Sequence, residues 1–209
     1  MTTERSDLGR FFDPRSIAIV GVSKGAFRFG GMSFLKKLQG AGFPKTIYPI
    51  NPKASEIAGL TAYPDLSSLP EVPDLAIVCV AARQVPAVLE ECARIGLRQV
   101  HVLSAGFRET GTQEGRRLET EIQAIAREHG LLVLGPNCMG PYCPSSRLTA
   151  WGAIPGVSGP LGIVSQSGLI TQRITEYAAS LGVGVDKAVS FGNATVLGAA
   201  DLLRFMAAE

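Results

Sequence analysis

Apolar positions along the chain switch between two periods. Short runs of strand length recur: "SIAIVG" (16–21), "KTIYPIN" (45–51), "DLAIVCVA" (74–81), "QVHVLSAGF" (99–107) and "LLVLG" (131–135). Between them, apolar residues return every three or four positions, in "MSFLKKLQGAG" (32–42), "QVPAVLEECARIG" (84–96) and "TQEGRRLETEIQAIAREHG" (112–130). Strands this apolar are covered on both faces, and strand–helix alternation demands a parallel sheet joined by right-handed crossovers. The pattern therefore predicts an α/β fold with a doubly wound, Rossmann-like parallel sheet.

From Pro136 to Pro160 the periodicity stops in a stretch rich in Pro, Gly and Ser, which reads as a boundary loop. A second alternating series follows: "LGIVSQ" (161–166), "GLITQRITEYAASLG" (168–182), "VDKAVSFG" (185–192) and "VLGAADLLRFMAAE" (196–209). The expected organisation is a Rossmann-like domain over residues 1–140, then a linker and an incomplete second, flavodoxin-like α/β domain over residues 141–209. The second series is too short to sustain a core of its own. It is expected either to pack on the first domain or to belong to a longer protein, because its last helix reaches Glu209 without a stop signal.

Composition narrows the classes. Of the 209 residues, 46% are apolar and 18% charged, so a sizeable core is expected. A net charge of +2, with no run of Lys or Arg longer than two, argues against a nucleic-acid footprint. The N-terminus lacks the basic start and apolar core of a signal peptide, and no apolar stretch has membrane-spanning length. The four cysteines (Cys79, Cys92, Cys138, Cys143) fit neither a zinc pattern nor a disulfide framework. These features together point to the cytoplasm.

The candidate chemistry sits in the loops after the strands, where ligands of open parallel sheets bind. The first turn carries Gly21, Gly25, Gly30 and Gly31, but Ser23 stands where the second glycine of G-x-G-x-x-G belongs, and no Gly-Lys-Ser/Thr opens the helix. The second strand ends in "INPK" rather than in the acid that NAD-binding folds offer the ribose hydroxyls. Asn51 replaces that acid, and Lys53 and Lys24 bring positive charge to the same crevice. This suits a nucleotide bearing an extra phosphate, with NADP and coenzyme A as candidates. "VAARQV" and "SAGFRE" are small-residue turns that let a ligand lie close to the backbone, and nothing marks a hydride-transfer site.

A second helix terminus follows Ser165-Gln166-Ser167-Gly168. One serine there is explained as a helix cap. The pair with the glycine also makes a nest of N–H and hydroxyl groups suited to phosphate. A serine nucleophile is not indicated, since "SQSGL" is not G-x-S-x-G and no acid–His pair accompanies it. Asn137 and its glycine neighbours suit a turn closing on the reactive end of a cofactor. Cys138 has no neighbouring base in the sequence, and His101 and His129 read as structural.

Six ordered motifs carry a family resemblance: "FFDPRSIAIVGVSKGAFRFGG", "YPINPKASEIAGLTAYPDLSSLP", "SAGFRETGTQEG", "LGPNCMGP", "GIVSQSGLI" and "VSFGNA". They cover nearly the whole chain and resemble the NDP-forming acyl-CoA synthetases, which include ADP-forming acetate–CoA ligases and relatives of the succinyl-CoA synthetase alpha subunit. The resemblance implies coenzyme A as the ligand. Gly21, Ser23, Lys24, Gly25 and Gly30 would wrap its nucleotide end, and Lys53, after Asn51 and Pro52, would meet its phosphates. Val80, Ala81, Ser104, Ala105 and Gly106 would line the cofactor, with Asn137 near its thiol. Ser165, Gln166, Ser167 and Gly168 would form the helix terminus that holds a phosphoryl group.

The family converts carboxylic acid, CoA and ATP to acyl-CoA, ADP and phosphate through an acyl phosphate and a phosphohistidine. That histidine lies further along the family's second domain than this chain reaches, so no catalytic residue is expected here. ATP, ADP and Mg would enter only through an ATP-grasp domain or beta subunit. The chain alone is expected to bind CoA without completing the reaction. Thr195 stands where relatives commonly carry aspartate. Partners implied are CoA, a carboxylic acid or acyl-CoA, and the nucleotide domain, with no nucleic acid, metal or membrane; exposed apolar surface would favour a homo-oligomer. Competing readings are a CoA-sensing regulatory module, like that fused to protein acetyltransferases, and an NADP-dependent oxidoreductase.

Overall fold

The strand-length runs form two sheets in the computed structural model, which describes residues 8–23, 30–151 and 156–208. The first sheet contains β1 (Ser16–Val20), β2 (Thr46–Ile50), β5 (Leu75–Val78), β6 (Gln99–Val102) and β7 (Leu132–Leu134), in the order β2-β1-β5-β6-β7. All pairings are parallel. A short hairpin, β3 (Glu56–Ile57) with β4 (Leu60–Thr61), lies in the connection from β2 to β5. Helices α1 (Gly31–Gly40), α2 (Val85–Ile95) and α3 (Gln113–His129) supply the crossovers. The winding reverses between β1 and β5, and a crevice opens beyond the carboxyl ends of strands at such a point. The doubly wound α/β fold is as the apolar pattern predicts.

The second sheet is a correction to the loop expected between 136 and 160. Its order is β10-β11-β8-β9, with β8 (Gly140–Cys143), β9 (Leu148–Thr149), β10 (Leu161–Ser165) and β11 (Val185–Ser190). β10 and β11 are parallel, while β8 runs antiparallel to both β11 and β9. Every residue of β8 and β9 is buried. The composition "GPYC" conceals this strand, because Gly and Pro are turn signals. Pro141 is tolerated because β9 pairs only with Tyr142 and Cys143, so no strand bond is asked of the proline on that side. Helices α4 (Gly168–Ser180) and α5 (Ala199–Met206) complete the arrangement.

The two sheets share one core. Phe11, Ile17, Phe34 and Ile77 from the first part pack in the same cluster as Tyr142, Trp151, Val189 and Phe205 from the second. Phe12 stacks on Phe205 at 5.6 Å and Tyr142 on Trp151 at 5.2 Å. The opposite face of the first sheet is closed by α2 and α3 through Val88, Leu89, Leu118 and Ile122. At the edge of this core, buried Asp74 accepts from Arg10 at 3.0 Å and from Arg15 at 2.9 Å. The Arg15 side-chain bond, against the cost of burial, holds the Asp74 carboxyl below its usual range.

Candidate functional site

A cleft of about 500 Å³ opens at the carboxyl ends of β1, β5, β6 and β7. It is lined by Gly30, by Cys79 and Val80 after β5, by Leu103, Ser104 and Ala105 after β6, and by Asn137, Cys138 and Met139 after β7. Gly168 and Leu169, the first residues of α4, form its remaining wall. The second sheet thus contributes a helix N-terminus to a crevice made by the first.

Hydrogen bonds tie the rim together. The Ser104 hydroxyl donates to the carbonyl of Val80, joining the loops after β5 and β6. The Asn137 amide donates to the carbonyl of Ser104 at 2.8 Å, joining the loops after β6 and β7. Asn137 sits at φ 59°, a left-handed conformation that asparagine tolerates better than most residues. Under the first turn, Gly21 has φ 91°, and a Cβ there would lie 2.8 Å from the carbonyl oxygen of Cys79. The turn after β1 can approach β5 only as glycine.

At the α4 wall, the Ser167 side chain accepts from the Ile170 amide at 3.3 Å as an N-cap. Ser165 accepts from the Ser167 amide at 3.2 Å. The amides of Gly168 and Leu169 open the helix, where no carbonyl of the helix itself can accept from them. A Cβ on Gly168 would lie 2.2 Å from Cγ of Met139, so the absence of a side chain lets the helix end abut the cleft wall. Met139 is itself held by its amide, which donates to the buried Ser190 hydroxyl at 3.0 Å.

No thiol here is poised as a nucleophile. Burial pushes Cys79 up to about 12 and raises Cys138 further still, so both stay protonated at neutral pH. His101 lies wholly buried behind the cleft, and its Nε2 donates to the carbonyl of Cys138 at 3.1 Å. Burial drives its pKa down to about 4, outweighing that hydrogen bond, so the ring is neutral. Its role is to brace the loop after β7. His129 ends α3 and lies 3.3 Å from Glu90 on α2.

Of the expected binding residues, Gly30, Val80, Ser104, Ala105, Asn137 and Gly168 meet in this one cleft. Ser23 is exposed, and Lys24 and Gly25 lie outside the described residues. Asn51 donates through Nδ2 to the carbonyl of Val22 and accepts from the Lys53 amide at 2.8 Å, so it ties the ends of β1 and β2 together. Pro52 and Lys53 are exposed and do not line the cleft. Ala81 and Gly106 line a separate hollow with Arg83, Thr112 and Glu114, toward α2 and α3. Gln166 and Ser167 face solvent beside the helix terminus.

A carboxylate network behind the rim is invisible to sequence motifs. Buried Glu119 of α3 accepts from Thr195 Oγ1 at 2.6 Å, Asn193 Nδ2 at 2.8 Å, and the Arg108 amide and Nε at 3.1 Å. Asn193 also donates to Glu109, which accepts from the amides of Gly106 and Phe107. Burial pushes Glu109 upward, but the Asn193 side chain and these amides together hold it below its usual range. The network fastens the loop after β11 to the loop after β6. Thr195 fits here as a hydroxyl donor, whereas an aspartate would set a second carboxylate against Glu119.

Among the described residues lining the cleft there is no charged side chain; its polar groups are Ser104, Asn137 and backbone amides. A doubly wound sheet with small-residue turns at its switch point defines a nucleotide-cofactor-binding class of α/β protein. Residues 15–144 match the CoA binding domain family and residues 158–209 the succinyl-CoA ligase like flavodoxin domain. The chain belongs to the CoA binding domain family, in the arrangement of the NDP-forming acyl-CoA synthetases.

It is 36% identical over 201 residues to an ADP-forming acetate–CoA ligase I of Archaeoglobus fulgidus, covering 96% of this chain and 29% of that protein. It is 35% identical to the alpha subunit of ADP-forming acetate–CoA ligase II of Pyrococcus furiosus, covering 96% of this chain and 43% of the subunit. An acetyl-coenzyme A synthetase 1 of Ca. Korarchaeum cryptofilum, solved with phosphate and ADP, superposes with a TM-score of 0.88 at 35% identity, covering 97% of this chain and 43% of that one. The chain therefore spans less than half the length of these relatives. No helix among the described residues is long and apolar enough to cross a membrane.

Proposed function

We propose that the cleft receives the uncharged arm and thiol of coenzyme A, and that the chain serves as the CoA-binding part of an ADP-forming acid–CoA ligase. The observation that carries this reading is the lining itself. Among the described lining residues, small side chains, two neutral polar groups and the opening amides of α4 suit a neutral amide-bearing arm. The anionic end then belongs outside the cleft, towards the carboxyl end of β2 and the start of α1, where Lys53 and the helix dipole favour phosphate. Ser104 and Asn137 would orient the arm through hydrogen bonds, and the α4 terminus would stabilise negative charge arriving beside the thiol.

In this reading residues 1–140 form the cofactor domain, and the second unit, over 141–209, supplies the wall at which acyl transfer occurs. The acid, ATP and Mg enter through parts of the ligase that the relatives carry beyond the matched region, so these 209 residues alone bind CoA without turnover. Calorimetric titration with CoA and dephospho-CoA at two salt concentrations tests this. CoA should bind more tightly and with more salt sensitivity, and Lys53→Ala should reduce the difference between the two ligands. Absence of binding by either ligand, or turnover by the isolated chain, would overturn the reading.

A further inference from the structure

Ser190 closes β11 and is wholly buried, yet its hydroxyl has two partners outside its own strand. It accepts from the amide of Met139 at 3.0 Å and from the amide of Gly140 at 3.1 Å, consecutive donors on the chain that follows β7. In register Ser190 lies opposite Gly140, the first residue of β8. A hydroxyl oxygen has two acceptor lone pairs, so one side chain can satisfy both amides where the loop becomes a strand.

The same oxygen stands beside the other wall of the cleft. A Cβ on Gly168, the first residue of α4, would meet both Cγ of Met139 and, at 3.5 Å, Oγ of Ser190. Ser190 therefore lies behind Met139 and behind the helix terminus, two parts of the cleft lining. Different anchors fix the preceding residues of the loop. The Asn137 amide donates to the Ser104 carbonyl, and His101 Nε2 donates to the Cys138 carbonyl. Those bonds hold residues 137 and 138 to the first sheet, whereas Ser190 holds 139 and 140 to the second.

We propose that Ser190 is a positioning residue for CoA binding: its hydroxyl sets Met139, and with it the start of α4, at the separation the cofactor requires. The proposal rests on the reading that CoA occupies this cleft. Ser190 does not line the cleft and acts through Met139. Without the hydroxyl, the amides of Met139 and Gly140 lose their acceptor, and an unsatisfied buried donor is costly enough to make the loop shift towards another. A displacement of about 1 Å is enough to cost a bound group up to about 100-fold.

Two variants test it: Ser190→Ala, and Ser190→Cys, which nearly keeps the size but offers a far weaker acceptor. Each is titrated calorimetrically with CoA well below its Tm, so that folded chain is measured, and circular dichroism confirms the fold. Either variant that folds should bind CoA at least about tenfold more weakly than wild type. Hydrogen exchange gives a second readout, which a merely structural role would not localise. Exchange should quicken at Met139, Gly140 and the opening amides of α4, while β5 and β6 keep their protection. Val88→Ala, in the core on the opposite face of the first sheet, controls for lost stability. It should lower Tm and leave CoA affinity unchanged. CoA affinity that is intact in the Ser190 variants, or reduced no more than in Val88→Ala, would overturn this role alone. A wild-type chain that binds no CoA would overturn the CoA reading and this role with it.

Discussion

Replacing Glu119 by alanine tests how the two sheets are joined behind the cleft. Its carboxylate is the shared acceptor for Thr195 Oγ1 at 2.6 Å, Asn193 Nδ2 at 2.8 Å and the Arg108 amide at 3.1 Å. Asn193 keeps Glu109 as a partner, and the Arg108 side chain is half exposed and reaches water. The groups stranded by the substitution are therefore the Thr195 hydroxyl and the Arg108 N–H. At about 1–3 kcal/mol for each unsatisfied group, the expected cost is roughly 2–6 kcal/mol. A chain of this size loses about 2–4 °C of Tm per kcal/mol, so Tm should fall by roughly 4–24 °C. Thr195→Val removes one charge-assisted bond and should cost about 1.5–3 kcal/mol. In Glu119→Ala, adding Thr195→Val should then cost much less than it does alone, since the partner is already gone. Urea unfolding with unchanged m values provides the measurement. A Glu119→Ala chain within about 0.5 kcal/mol of wild type, or fully additive effects, would refute the coupling.

Stability should also depend on pH through His101. The ring is neutral in the fold, with its pKa near 4, while an unfolded histidine titrates near 6.5. Between these values the unfolded chain binds the proton and the native chain does not, so stability is complete above about 6.5 and falls as pH drops towards 4, by about 3 kcal/mol. His101→Gln should flatten this slope, and an unchanged slope would show that other groups cause it. Gly168→Val drives a side chain into Met139 and the cleft wall, and should weaken CoA binding by at least about tenfold through misplacement of α4. Unaltered calorimetric affinity would remove α4 from the site.

What could be read from the sequence divides along physical lines. The first sheet was legible because β1, β5 and β6 are apolar on both faces and each feeds a helical period. Six of the cleft-lining positions, Gly30, Val80, Ser104, Ala105, Asn137 and Gly168, were legible because ligand loops follow the carboxyl ends of strands and the family motifs fall on those loops. β8 was not, since a four-residue strand containing Gly140 and Pro141 carries turn chemistry in place of a period. Asn51 has the position of a ribose ligand, yet its side chain is engaged with Val22 and Lys53, a long-range contact that no local pattern encodes. Glu119 looks like a solvated helix residue until Thr195, 76 positions away, is brought against it. Met139 enters the cleft wall only because Gly168 leaves room for it.

The central claim concerns where the cofactor lies, and hydrogen exchange of the chain with and without saturating CoA addresses it directly. Slowed exchange should concentrate at the amides of 79–81, 103–106, 137–140 and 168–170, with the remaining core unchanged. CoA that binds and slows exchange elsewhere while leaving these four loops untouched would contradict the account.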